Sequence, residues 1–249
     1  FTEYTFHLQP DTLIFIHQHP TDVRCYSSAF YNDGTLIEAD SDGIYGLSYP
    51  YSNKEWDDIL ECPRGSVSVC VCGNYFTAIV KDKNDKSKYH VKSWMLDENM
   101  QLPPTADGHD ESLFDFDHPD KSVSCVTSSR DIVVVSVKKK LLVYSRSTKR
   151  LTVKALEFES FGCHLVGEGS DSKLLVTGAS SLRKYDVDSE GQLHTIWETK
   201  ELPGAAGVCT TDDGVIIVQS SKSGELFLLS QKGRFVLTFH KESCIIVYQ

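Results

Sequence analysis

Cys70-Val71-Cys72 would put two thiols on the same face of a β-strand, which is half of a tetrahedral zinc site. A closed site needs four ligands, and no second pair with zinc-finger spacing accompanies it, so packing is the expected role of these thiols. His17 and His19 would also share a strand face, again without a third ligand in view, and are expected to be solvated or hydrogen-bonded imidazoles. Glu38, Asp40 and Asp42 could offer hard oxygens to calcium, but Asp-Gly turn chemistry accounts for two of the three. Nothing resembles a nucleophile elbow, a Gly-rich phosphate loop or a His-Glu metalloprotease helix. The chain is therefore expected to have no catalytic residues, no metal and no cofactor. The chemistry that does concentrate is basic: Lys81, Lys83, Lys86 and Lys88 in one short stretch, Lys138-Lys139-Lys140 in a row, and Lys222 by itself.

The elements that position these lysines come from a unit returning about every 42 residues, the period of β-propeller blades. One copy runs Val215-Ile216-Ile217-Val218, a Ser220-to-Gly224 turn, then Glu225-Leu226-Phe227-Leu228-Leu229. Upstream, Lys173-Leu174-Leu175-Val176, a Gly178-to-Ser181 turn and Leu182-Arg183-Lys184-Tyr185 repeat the pattern. Before that come Ile132-Val133-Val134-Val135, the turn Lys138-Lys139-Lys140 and Leu141-Leu142-Val143-Tyr144. Weaker copies run Thr35–Ala39 with Ile44–Leu47, and Tyr75–Val80 with Tyr89–Trp94. Between the second and third units in chain order about fifteen residues are inserted, and Asp97 to Asp117 reads as a long polar loop. Pro20, Pro63, Pro119 and Pro203 precede units, where a connection leaving an outer strand loses no ladder hydrogen bond.

At the ends, Cys244 to Tyr248 reads as an innermost strand whose unit then stops, while Tyr4–Leu8 and Leu13–Ile16 are strands with no inner strand before them. Joined, they would close a ring and remove exposed sheet edges. The expected fold is all-β: a six-bladed β-propeller of four-stranded antiparallel blades, the last built from both termini and holding three or four strands. Residues 1–249 then form one domain, since a chain of this length with 40% hydrophobic residues can bury a single large core. No apolar run reaches the ~18 residues of a membrane span, and Phe1 is neither an initiator nor the start of a signal peptide, so the chain is expected to be part of a longer protein.

In such a ring the turns between second and third strands all leave on one face. Two of them carry the lysine clusters, and a third carries Lys222. Lysines in hairpins often serve solubility alone, but a basic sector also suits an acidic or phosphorylated protein segment, or an RNA backbone. A net charge of −10 disfavours general nucleic-acid binding. Of eight cysteines, Cys25, Cys70, Cys125, Cys163, Cys209 and Cys244 fall in or near innermost strands, with Cys62 and Cys72 beside them. One thiol per repeat indicates repeated packing next to the axis and a reducing, cytoplasmic setting. Trp56, Trp94 and Trp197 are too unevenly placed for a sugar-stacking platform on each blade.

Pro63-Arg64-Gly65-Ser66-Val67-Ser68-Val69 and Pro203-Gly204-Ala205-Ala206-Gly207-Val208, each followed by a Gly turn and a Val/Ile strand, resemble degenerate NHL repeats. The Asp that closes the second strand of that repeat has a counterpart in Glu38-Ala39-Asp40 only. The resemblance implies a six-bladed propeller of the kind found behind the RING, B-box and coiled coil of tripartite-motif proteins, where it recruits substrates for ubiquitin transfer or binds RNA. It implies a non-catalytic protein-interaction module; the domain is expected to be monomeric, and the charge of the turns makes Lys81, Lys83, Lys86, Lys88, Lys138, Lys139, Lys140 and Lys222 the candidate contacts. The alternatives are a calcium-dependent lactonase or esterase, which would need Glu, Asp and Asn clustered on first strands, and a sugar- or RNA-binding propeller. First strands here carry Cys, Val, Ser and Thr instead.

Overall fold

The computed structural model describes residues 66–73, 75–82, 84–95, 110–118, 123–167, 171–211 and 213–239, with strand backbone also at 2–9, 12–20, 27–30, 36–39, 44–47, 57–60 and 245–246. Every long element among them is a β-strand. β1 (Thr2–Gln9) and β2 (Thr12–Pro20) come first, and β3 (Ser27–Phe30), β4 (Leu36–Ala39), β5 (Ile44–Leu47) and β6 (Asp57–Leu60) form sheet one. β7 (Ser66–Cys72), β8 (Tyr75–Lys81), β9 (Lys88–Met95) and β10 (Asp110–Asp117) form sheet two. Sheet three is β11 (Val123–Ser128), β12 (Ile132–Val137), β13 (Lys140–Ser145) and β14 (Arg150–Ala155). Sheet four is β15 (Ser160–Val166), β16 (Lys173–Gly178), β17 (Ser181–Val187) and β18 (Leu193–Lys200). Sheet five is β19 (Ala205–Thr210), β20 (Ile216–Ser220), β21 (Leu226–Leu229) and β22 (Phe235–Phe239), and β23 (Ile245–Ile246) follows.

Each of these five sheets is a four-stranded antiparallel meander in chain order, so local hairpins make nearly all the pairings. First strands stand side by side from sheet to sheet: β3 with β7, β7 with β11, β11 with β15, and β15 with β19. The remaining strands pair in the order β2, β1, β23, with Glu3 opposite Ile245 and Tyr4 opposite Ile246. β23 lies parallel to β1, a departure from the expected antiparallel pattern. A tight hairpin imposes antiparallel pairing, and strands from opposite ends of the chain have no hairpin between them.

Two sequence-based boundaries are corrected. The segment read as a polar loop up to Asp117 contains β10 from Asp110 onward, paired with β9. An outermost strand shows solvent one face, so its four acidic residues mask the apolar alternation of Leu113, Phe114 and Phe116. Positions 97–109 lie outside the described residues. Lys140, read as part of a turn, is the first residue of β13 and pairs with Val137.

The second strands β8, β12, β16 and β20 are nearly continuous buried runs because both of their faces are covered. Along β12, Ile132 and Val134 pack toward sheet four with Leu174, Val176 and Tyr185. Val133, Val135 and Val137 turn the other way, onto Ile79, Tyr89 and Val91 of sheet two. Leu175 and Leu182 of sheet four meet Ile216, Val218 and Phe227 of sheet five. Burial of each such side chain contributes about 1.5–3 kcal/mol. Side chains also stitch neighbouring sheets: Val126 N–H donates to Ser68 Oγ (3.0 Å), and Leu165 N–H donates to Thr127 Oγ1 (2.9 Å). Gly162 lets β15 approach β19 closely, since a Cβ there would collide with the Ala206 carbonyl oxygen.

Candidate functional site

Two lysine-bearing turns stand on neighbouring sheets, and each is built differently. Between β8 and β9, Asp82 Oδ1 accepts the backbone N–H groups of Asn84 (2.7 Å) and Asp85 (2.8 Å), folding the chain around one carboxylate. Its other oxygen lies 3.0 Å from His90 Nε2, while His90 Nδ1 lies 2.8 Å from Asp115 on β10. The hydrogen bond from His90, with those from the two backbone N–H groups, holds the Asp82 carboxyl down at about 2. In return Asp115, then Asp82, raises the His90 pKa. On this hairpin Lys86 is exposed, and Lys88 lies 3.9 Å from Asp85 in a solvated pair of little energetic weight. Lys81 places its ammonium 5.9 Å from the centre of the Tyr89 ring. Lys83 lies outside the described residues.

Between β12 and β13 the turn is only Lys138-Lys139, and Lys138 adopts a φ of 49°. That left-handed conformation costs a non-glycine residue roughly 1–2 kcal/mol, so the surroundings must hold it. They do so through the outgoing connection of the same sheet. The Lys138 carbonyl accepts both the N–H (2.8 Å) and the hydroxyl (2.6 Å) of Ser160, and the Lys139 carbonyl accepts Leu156 N–H (2.7 Å). Ser136 Oγ, 2.6 Å away, completes the hydroxyl chain. The next sheet repeats the backbone pattern, with Leu202 N–H on Ser180 O (3.1 Å) and Gly204 N–H on Ala179 O (2.8 Å).

A cavity of about 460 Å³ opens beside this turn. Phe116, Val137, Leu142 and Val153 supply its apolar surface, and Lys138, Lys139, Lys140, His118, Asp117 and Glu159 supply its polar rim. The first turn reaches its edge twice. His118 N–H donates to Ser87 O (2.7 Å), and Phe116 stacks on Tyr89, with ring centres 5.3 Å apart, beneath Lys81. The structure thus brings Lys81 and Lys138–Lys140 to one neighbourhood across the boundary between sheets two and three. Lys222 does not join them: it sits on sheet five, its stem packed over Gly204. Acidic residues share this face of the sheets, including Asp82, Asp85, Glu157, Glu159 and Glu201, so its charge is interleaved.

The first-strand cysteines Cys70, Cys125, Cys163 and Cys209 lie on β7, β11, β15 and β19 as free thiols. Cys125 Sγ and Cys163 Sγ are 2.9 Å apart, and Cys163 N–H donates to Cys125 Sγ (3.0 Å). Burial pushes the Cys70 thiol up to about 12 and raises Cys209 as well, while the contact with Cys125 and burial raise Cys163. Protonated thiols of this kind are poor nucleophiles and poor metal ligands at neutral pH. Among the described residues, no group of three or more His, Cys, Asp or Glu is arranged to hold a metal ion. His164, half-buried on β15 with Nε2 3.2 Å from Thr210 Oγ1, is pushed by desolvation down to about 4 and stays neutral. Cys25, Cys62 and Cys244, with Asp40, Asp42 and Trp56, lie outside the described residues.

Arg146 escaped the sequence reading. It crosses from the β13–β14 turn to sheet two, 4.6 Å above the Tyr75 ring, and donates to Ser93 Oγ (2.9 Å) and Thr77 Oγ1 (3.3 Å). An isolated arginine in a polar turn carries no local signal for such a contact.

No family model matches the chain. No curated protein matches it in sequence either. Its architecture does have counterparts among solved structures. Two structures of Hsv2 from Kluyveromyces lactis superpose with TM-scores of 0.53 and 0.55, at 12% and 11% identity over 87% of this chain. A protein from Lactobacillus plantarum superposes with a TM-score of 0.57, at 15% identity over 86% of this chain. The fold is that of a β-propeller. The matches take in 62%, 63% and 64% of those longer chains. At such identities the likeness establishes the propeller fold alone. In this propeller the lysine turns and the connections between sheets leave the same ends of the strands, so the cavity is a feature of one face.

Proposed function

We propose that the chain is a six-bladed, NHL-like propeller, closed by its terminal strands, that acts as a non-catalytic recognition module for an acidic or phosphorylated segment of a partner protein. The ring reading is supported by the β1–β23 pairing and by the side-by-side order of first strands. The recognition reading rests on one observation above the rest: Lys138, Lys139 and Lys140 line a cavity with an apolar wall, and the neighbouring lysine turn touches its edge through Ser87 and the Tyr89–Phe116 stack under Lys81. Loops held on a rigid scaffold are where recognition concentrates. Burial raises the Cys70 and Cys209 thiols, and the Cys125 contact with burial raises Cys163, so these three are weak nucleophiles for the enzymatic alternative. Within a cytoplasmic, tripartite-motif-like ubiquitin ligase, such a module would select the substrate.

The test is binding of a fluorescent polyglutamate peptide, and of a phosphoserine-containing counterpart, to the parent and to a variant with Lys81, Lys83, Lys86, Lys88, Lys138, Lys139 and Lys140 replaced by serine. Each exposed pair contributes about 0–1 kcal/mol, so the loss should show in the combined variant together with a flatter salt dependence. Lys222→Ser, away from the cavity, should matter least. Equal binding by parent and seven-site variant at low salt would refute the reading.

A further inference from the structure

We infer that the cavity between sheets two and three is a side-chain pocket: it takes one aromatic or large aliphatic side chain of a partner segment whose flanking residues are acidic. This rests on the reading of the lysine turns as the binding face and specifies what they hold. Three features of the cavity carry it. Its volume, about 460 Å³, lies in the range of small-ligand sites and exceeds one large side chain. Its wall is built from Phe116, Val137, Leu142 and Val153, yet Val153 is left 56% exposed at the mouth, where an apolar occupant would cover it. Its rim is asymmetric in charge, with three consecutive lysines and His118 against Asp117 and Glu159. Apolar wall and basic rim together match an apolar anchor bracketed by carboxylates, whereas the acidic pair on the rim opposes a bare polyanion.

Lys138 adds a fourth reason. At a φ of 49° glycine would fit without strain, and the hydrogen bonds from Ser160 fall on the Lys138 carbonyl, which glycine also has. A lysine in that position is therefore explained by its side chain on the cavity rim and not by the turn it makes.

The experiment uses the propeller as given and a fluorescent peptide of glutamates with one central phenylalanine. The parent should bind it about ten- to a hundredfold more tightly than the peptide with alanine at the centre, as burial of one aromatic side chain requires. Val153→Glu should weaken the phenylalanine peptide about tenfold and the alanine peptide distinctly less, because the carboxylate repels both glutamate chains but removes apolar cover only from the aromatic ring. Lys138→Gly should weaken binding about two- to fivefold while keeping or raising the melting temperature, which separates the side chain's role from folding. Equal affinity for the two peptides would overturn the pocket and leave the acidic-partner reading standing. Sensitivity to Val153→Glu without sensitivity to the seven-lysine variant would keep the pocket and remove that reading. Failure of the parent to bind the phenylalanine peptide, or equal binding of a peptide with every glutamate replaced by lysine, would overturn the inference.

Discussion

The two lysine turns arrive at one cavity by opposite means. The β8–β9 hairpin is organised by charged side chains at the surface, with Asp82 gathering two backbone N–H groups and bridging to Asp115 through His90. The β12–β13 turn is organised by backbone carbonyls and buried hydroxyls, on strands whose side chains are almost wholly covered. The first arrangement depends on ionisation, and the second on packing. One face of the sheets therefore carries a hairpin held by ionisable groups beside a turn held by uncharged ones.

The largest effect should come from the packed side. Leu141→Ala, at a position with no exposure between sheets three and four, should lower stability by about 2–5 kcal/mol in chemical denaturation and release the third-sheet turn with it. A cost under 1 kcal/mol would show that core packing does not hold that turn. Ser160→Ala comes next. It leaves the buried Ser136 hydroxyl without its partner and should cost about 1–3 kcal/mol, with Lys138 losing one of two bonds to its carbonyl. Unchanged stability would mean that the backbone alone fixes the turn.

On the surface side, Asp82→Ala should leave the global melt almost unmoved but speed hydrogen exchange at Asn84 and Asp85, the two N–H groups it caps. Unaltered exchange would show that the hairpin folds without that carboxylate. The smallest effect is pH-dependent. The His90 pKa is raised in the folded protein, so its contribution is complete below the unfolded value near 6.5 and is lost as pH rises through the folded value. Asp82 is lowered, so its contribution is present above its ordinary value of 3.8 and is lost as pH falls toward about 2. A neutral imidazole has one N–H for two carboxylates, which is why one bridge must weaken on the alkaline side. NMR titration of His90 should follow loosening of the β8–β9 hairpin and leave the amides of Lys139 and Leu156 unmoved. Parallel changes at both turns would erase the contrast.

How much of this was legible beforehand differs along the chain. Strands β12, β13 and β16 were readable because each is a short apolar run closed by turn residues, and both signals are local. β10 was not, since four acidic residues in its sequence outweigh Leu113, Phe114 and Phe116 in the local pattern. The lysine turns could be placed on one face from the meander alone. The Tyr89–Phe116 stack that ties Lys81 to the cavity could not, because it depends on how β9 and β10 register across an insertion. Arg146 could not either, because its partners Ser93 and Thr77 belong to another sheet.

By itself, the sequence determined the repeating hairpins, the recurrence of thiols on first strands and the common face of the turns, for these follow from periodicity within each unit and from the fixed geometry of a meander. The cavity, the His90 bridge and the close approach of Cys125 and Cys163 were decided by tertiary structure alone. Each joins residues on different strands or sheets, and their distances depend on register and packing between elements that no single stretch of chain encodes.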